Sequence, residues 1–244
     1  MNVLLFFVLA FCSEIAGTIA GFGSSVFFVP LAGFFFDFHV VLALTSILHV
    51  FSNAAKLVLF GRHIKWRLLL LLGIPSTAFV LLGAYLTTRL EFKFTELILG
   101  LFLLSFSAFF LVRPKVKLSP QPLNAVTAGG LAGFLAGLIG TGGAIRGLAL
   151  GAFDLEKNVF VATSAAIDTG VDLNRMIVYL GSGFFTPEFY WFVPGLLLIA
   201  FLGSYVGKVL LNQIQQKSFR KIVLVLVFLI GLTTLGGFVR QLMR

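Results

Sequence analysis

AGFLAGLIGTGGAIRG, Ala132–Gly147, holds six glycines, no charge before Arg146, and apolar residues nearly throughout. A related stretch, AGTIAGFGSSVFFVP, spans Ala16–Pro30. Glycine lacks Cβ and reaches positive φ freely, so such a run loosens or breaks a helix. Inside a bilayer, irregular backbone is tolerated only where protein or a polar cavity surrounds it. Two glycine-broken segments at matching places in two halves are a pointer to a binding site in a transporter. The expectation is that they cradle a small anion.

The rest of the chain supplies the membrane. Of 244 residues, 59% are hydrophobic and 11% charged, against about 25% charged in soluble domains. Uncharged runs cover Ile15–Phe36, Leu68–Thr88, Leu118–Ile145, Phe189–Gly207 and Ile222–Val239. A spanning helix needs roughly 20 apolar residues. The fold class is therefore an all-α polytopic membrane protein. The 30 phenylalanines are read as lipid-facing and packing surface. The net charge of +9 sits in short loops, which is the positive-inside pattern and not a nucleic-acid footprint. Cys12, the one cysteine, excludes an intramolecular disulfide and is expected to be a packed thiol. No Lys or Arg precedes the first apolar run, so Met1 onward is expected to be mature protein.

Four apolar segments are expected in each half. They cover roughly 3–36, 40–60, 67–88 and 95–112, then 119–152, 158–181, 188–208 and 219–240. Residues 1–112 form a first repeat, 113–122 a basic, proline-rich cytoplasmic linker, and 123–244 a second repeat. LGAYLTTRL (Leu82–Leu90) echoes LGSYVGKVL (Leu202–Leu210), Pro75 echoes Pro194, and ALTS (Ala43–Ser46) echoes ATS (Ala162–Ser164). Asp37 and Asp154 follow the two glycine segments and are expected to cap helices or lie in loops.

Loop charge orients the halves. If the second glycine segment makes no net crossing, eleven Lys/Arg face one side and four the other; a full crossing gives eight against seven. The first arrangement fits the positive-inside rule. It makes the repeats inverted, each a glycine-broken segment (re-entrant or discontinuous) plus about three transmembrane helices.

A charge at the bilayer centre costs about 2.5–3.5 kcal/mol on insertion scales, so residues of this kind inside the membrane mark candidate sites. Asp168, Asp172 and Arg175 fall on one helical face. Shifted by 119 residues, His49, Asn53 and Lys56 do the same. The substrate-binding candidates are Gly21, Gly23, Ser24, Ser25, Gly140, Thr141, Gly142, Gly143, Arg146, Arg175 and Lys56. The proton-coupling candidates are Asp168, Asp172, His49 and Glu14. Simpler readings stand beside these. Asp172 and Arg175 could only neutralise each other, Lys56 could snorkel to the interface, and His49 could be satisfied by neighbouring helices. Arg146 could mark a membrane edge, and the glycines could serve close helix packing.

At these residues the chain resembles the TauE/SafE family of sulfite and organosulfonate exporters. That family opens each half with a glycine motif of the type GxxxGxxGxGGG. Gly133, Gly137, Gly140, Gly142 and Gly143 follow it. The first copy has Gly17, Gly21 and Gly23, then departs to Ser24-Ser25, and Pro30 stands where the second has Gly147. The resemblance covers essentially the whole chain. It implies a multi-pass transporter of the inner (plasma) membrane that moves sulfite, organosulfonates or similar small anions outward. The glycine segments and buried charges add the expectation of an alternating-access carrier in which Asp168 or Asp172 exchanges a proton. Its partners would be that anion and membrane lipids, with no nucleic acid, and a homodimer is one option for assembly.

Two rival classes remain open at this stage. A passive anion channel is one. The other is an intramembrane hydrolase using Ser24 with His49, although Gly23-Ser24-Ser25-Val26 fits a G-x-S-x-G elbow poorly. No metal-ligand spacing and no G-K-[ST] phosphate loop occur in the sequence, so neither a cofactor nor ATP is expected, and the protein is not read as an enzyme.

Overall fold

The computed structural model describes residues 3–21, 23–90, 92–113, 119–211 and 213, with 224–225, 228–229, 231–232, 234–236 and 238. The middle of the expected linker (114–118) and much of the expected segment 219–240 lie outside the described residues. So do the basic residues Lys115, Lys117, Lys217, Arg220, Lys221, Arg240 and Arg244.

Every long element among the described residues is helical. Helix α1 is Val3–Ala20, α2 Ser25–Ala32 and α3 Phe38–Phe60. Helix α4 is Trp66–Thr87 and α5 Phe92–Val112. In the second half α6 is Pro122–Ile139, α7 Gly143–Gly151, α8 Lys157–Gly181 and α9 Phe192–Leu211. Among the described residues, five stretches are long and apolar enough to cross a membrane: α1, Phe38–His63, α4, α6 and α9. Helix α8, at 25 residues, is long enough, but Asp168, Asp172 and Arg175 lower its hydropathy. All three of those side chains are buried.

Sequence explains the helix boundaries. Pro122 starts α6 at a position whose amide needs no partner. Gly140 ends it in the left-handed region at φ 76°. Gly21, the counterpart 119 residues earlier, takes φ 77° just after α1. In α4, a wide π turn over Leu69–Gly73 accommodates Pro75, which has no amide hydrogen to donate.

At both breaks the chain doubles back on the helix it has just left. A Cβ on Gly142 would strike the backbone of Ala132, and one on Gly17 would strike the backbone of Ser24. Each short helix therefore begins beside the body of the long one. At 1.5 Å per residue, α2 and α7 reach only about 12–14 Å, less than half the ~30 Å hydrocarbon thickness. The glycine segments are thus a full-length helix followed by a half-length one, the discontinuous form of the expected break.

Packing repeats between the halves. Helix α1 packs on α9, and its counterpart α6 packs on α4. Helix α3 packs on α9, and α8 on α4. The pairs α1–α2 and α2–α3 recur as α6–α7 and α7–α8, while α3 meets α8 and α2 meets α7 across the middle. This set of partners is unchanged when each helix is exchanged for its counterpart. The first helix of each half thereby rests on the other half.

Phe6 anchors one end of the core, with its ring against Phe7, Phe28, Phe35, Phe36 and Phe192. Large apolar side chains such as Leu4, Val58 and Leu198 face outward, as a lipid-covered surface requires. One expectation needs correction: Cys12 is exposed on the outer face of α1, not packed. Asp37 and Asp154 lie outside the helices as expected, Asp37 just before α3 with no side-chain capping bond and Asp154 in a turn at φ 49°.

Candidate functional site

The long helices α3 and α8 carry their polar stripes into the centre, where the two breaks meet. Asn53 on α3 and Asp172 on α8 are counterparts 119 residues apart, and they touch: Asn53 Nδ2 donates to Asp172 Oδ2 at 2.7 Å. Ser25, at the start of α2, donates to Thr141 Oγ1 across the two breaks at 3.3 Å. The stripes and the breaks therefore form one polar interior.

Glu14 is the hub on the first-half side. Its side chain is fully buried and faces donors only. Thr18 (3.2 Å), Ser52 (2.5 Å) and Ser204 (3.1 Å) donate to Oε1, and Ser24 donates to Oε2 at 2.8 Å. Lys56 Nζ pairs with Oε1 at 2.8 Å and also donates to Ser52 at 2.7 Å. Four hydroxyls and an ammonium suit a carboxylate, which only accepts. Lys56 is buried in this pair and does not snorkel.

His49 links this hub to the second half. Its Nε2 lies 2.9 Å from Ser24 Oγ. Ser24 has one hydrogen, and Glu14 takes it, so Nε2 carries the imidazole proton and donates to Ser24. The other nitrogen, Nδ1, accepts from Arg175 Nη2 at 3.3 Å and faces Asp172 Oδ2 at 3.4 Å. A second proton on Nδ1 would pair directly with Asp172 and displace the Arg175 contact. The chain of contacts from Lys56 to Arg175 is therefore continuous and sensitive to the protonation of one ring.

Arg175 is fixed from several sides. Nη1 donates to the Gly140 carbonyl at 2.8 Å and the Ala136 carbonyl at 3.3 Å. Nε lies 2.8 Å from Asp172 Oδ1, an ion pair off the hydrogen-bonding direction. The mutual neutralisation of Asp172 and Arg175 is thus present, and Arg175 also holds the carbonyls at the end of α6. Tyr179, one turn further on, donates to the Gly137 carbonyl at 2.5 Å.

Arg146, on α7, takes a different acid. Its two terminal nitrogens grip both oxygens of Asp168, and Nε donates to Ser164 at 3.3 Å. Arg146 is 2% exposed, enclosed by the protein together with its acid.

Two small cavities flank these groups. One is bordered by Gly17, Gly21 and Gly23 of the first break with Asn53, Lys56, Ser164 and Asp168. The other is bordered by Gly140, Gly142 and Gly143 of the second break with Ser25, His49, Arg146, Asp168, Asp172 and Arg175. Each has room for about one water. The first amides of α7 lack partners within their own helix and border the second cavity.

All the proposed residues except Glu14, Ser24 and Thr141 border the two cavities, and those three are hydrogen-bonded into the same centre through His49, Lys56 and Ser25. Reading the sequence missed Thr18, Ser52, Ser164 and Ser204 as partners. Ser52 sits one turn before Lys56, and Ser164 and Ser204 lie within the echoed ATS and LGSYVGKVL motifs. Those spacings were the available signal. No cluster of His, Cys, Asp and Glu suited to a metal occurs among the described residues.

The Ser24–His49–Asp172 alignment resembles a hydrolase triad in its distances only. Glu14 takes the Ser24 proton, and Arg175 occupies the histidine nitrogen that a triad acid would hold. His49 is therefore oriented to give a proton to Ser24, not to remove one.

Membrane-length helices, paired half-helices and a buried polar centre define a polytopic helical membrane protein with a transporter's interior. The chain belongs to the sulfite exporter TauE/SafE family, whose model matches residues 5–234. It is accordingly a multi-pass protein of a transporter family for sulfite and sulfonates. Comparison with curated proteins and with solved structures gives no match.

Proposed function

We propose that this protein is a secondary carrier that exports sulfite or organosulfonates across the inner membrane by alternating access, with proton coupling. The observation that carries this reading is the balanced buried charge. Glu14, Asp168 and Asp172 face Lys56, Arg146 and Arg175, and every one of these side chains is buried. Such a centre is neutral when His49 is neutral. An entering anion unbalances it, and burying uncompensated charge is costly. A proton on His49 or Asp168 restores neutrality.

In this mechanism the amides at Gly21–Ser25 and Gly140–Gly143 bind oxyanion oxygens. Arg146, Arg175 and Lys56 supply the positive field. Asp172 and Glu14 hold cations in place and lie on the proton path. Residues 1–112 and 123–244 act as inverted repeats joined by the linker, and opening is a rocking of one against the other around α3 and α8. Helix pairing that is symmetric between the halves supports this division.

The test is counterflow of labelled sulfite in proteoliposomes. A carrier exchanges label against an excess of unlabelled sulfite. A passive channel, the rival reading, gives high conductance without exchange kinetics. Arg175→Gln should abolish exchange in protein that still elutes as a folded species, and unchanged exchange would remove Arg175 from the mechanism.

A further inference from the structure

Asp168 stands apart from the other buried acids because it borders both cavities. It is the one residue common to the two linings, so its carboxylate is the partition between the first break and the second. It is also held by Arg146 through both oxygens. A planar guanidinium gripping two oxygens of one carboxylate offers the geometry with which arginine binds sulfonate, sulfite or phosphate edges. Each cavity alone has room for about one water, so an anion is seated there only when Asp168 gives way.

We propose that Asp168 occupies the anion seat on Arg146 in this closed state, and that the transported anion takes that seat by displacing it. This rests on the carrier reading above and adds a substrate rule to it. The substrate presents two oxygens of one anionic group to Arg146, so oxyanions are accepted and halides are not. Displacement moves the partition and merges the cavities. The displaced carboxylate takes one proton from the medium to become the neutral acid, so that a monoanion enters with no change in buried charge. The charged groups facing Asp168 are Arg146 on α7, Asp172 on its own helix, and His49 and Lys56 on α3. Asp172, His49 and Lys56 have partners of their own at Arg175, Ser24 and Glu14. Asp168 depends on Arg146 and is the acid released when that pair opens.

The experiment uses methanesulfonate, which does not titrate near neutral pH, bound to the purified full-length protein. Calorimetry in two buffers of different ionisation enthalpy counts the protons taken up. The expected result is about one proton per methanesulfonate, with chloride failing to compete. Asp168→Asn should bind methanesulfonate at least about tenfold more tightly, since no resident anion need be displaced, and without proton uptake. Binding to the wild type with no proton uptake overturns the exchange, whether or not the variant folds. Weaker binding by a folded Asp168→Asn also overturns it. Either result, in protein that still shows sulfite counterflow, leaves the carrier reading intact. Absence of both oxyanion binding and counterflow in the wild type removes the carrier reading and the exchange together.

Discussion

Removing the Lys56 ammonium should leave Glu14 as a buried, uncompensated carboxylate. Breaking a buried ion pair from one side costs about 3–5 kcal/mol. Here four hydroxyls remain on Glu14, from Thr18, Ser24, Ser52 and Ser204, so the lower end applies. Lys56→Met, close in length and uncharged, should cost about 3 kcal/mol. For a chain of this size each kcal/mol lowers Tm by about 2–4 °C, so the loss should be about 6–12 °C. Glu14→Gln, which strands the ammonium beside Ser52 alone, should be destabilising as well. The double variant should be less damaged than the sum, with a coupling of about 2 kcal/mol, as expected for residues in direct contact. The assay is thermal unfolding in one detergent, followed by tryptophan fluorescence, on all four proteins. A Lys56→Met shift below about 3 °C, or strictly additive losses, would show that the pair does not hold α1 to α3.

Gly140→Ala should cost about 2–4 kcal/mol, because its left-handed backbone suits glycine and a Cβ there would press on Leu42 and Val29. Gly151→Ala, at the end of α7 with nothing nearby, should be neutral or mildly stabilising; equal thermal shifts for the two would refute the account of the break. Cys12 should react with a lipophilic maleimide without loss of counterflow, because it lies on the outer face of α1, away from the centre. A serine-reactive phosphonate should leave Ser24 unmodified by intact-mass measurement, since Glu14 and His49 both hold its hydroxyl.

Much of this arrangement is legible in the sequence because it obeys spacing. Helix α3 begins and ends within two residues of the expected segment, since its apolar run is bounded by Asp37 and Gly61. The one-face placement of Asp168, Asp172 and Arg175 follows from helical geometry alone, and burial of all three agrees with it. Partner choice is not legible in that way. Asp168 pairs with Arg146, 22 residues away, because α7 doubles back beside α6, and no periodicity encodes that return. The exposure of Cys12 is more legible than the expectation of a packed thiol allows: Glu14 and Thr18 share one face of α1, and Cys12, two residues before Glu14, falls on the opposite one. No spacing encodes that Ser204 reaches Glu14 across 190 residues.

The two halves share a frame but not a charge pattern, and the difference bears on the exchange proposed above. Offset by 119 residues, Lys56 matches Arg175, His49 matches Asp168 and Asn53 matches Asp172. Glu14, however, falls opposite Gly133, and Arg146 falls opposite Phe27. The first half spends its buried acid on a lysine that is already enclosed by hydroxyls. The second half places an additional arginine at its own break, paired with an acid that has a cavity on either side. Lys56 and Arg175 are tied into contacts that hold helices together, and Arg146 bridges α7 to α8 through Asp168 and Ser164. If Asp168 is exchanged as proposed above, Arg146 is the cation set free, and the proposed anion seat falls at the second break and not at the first.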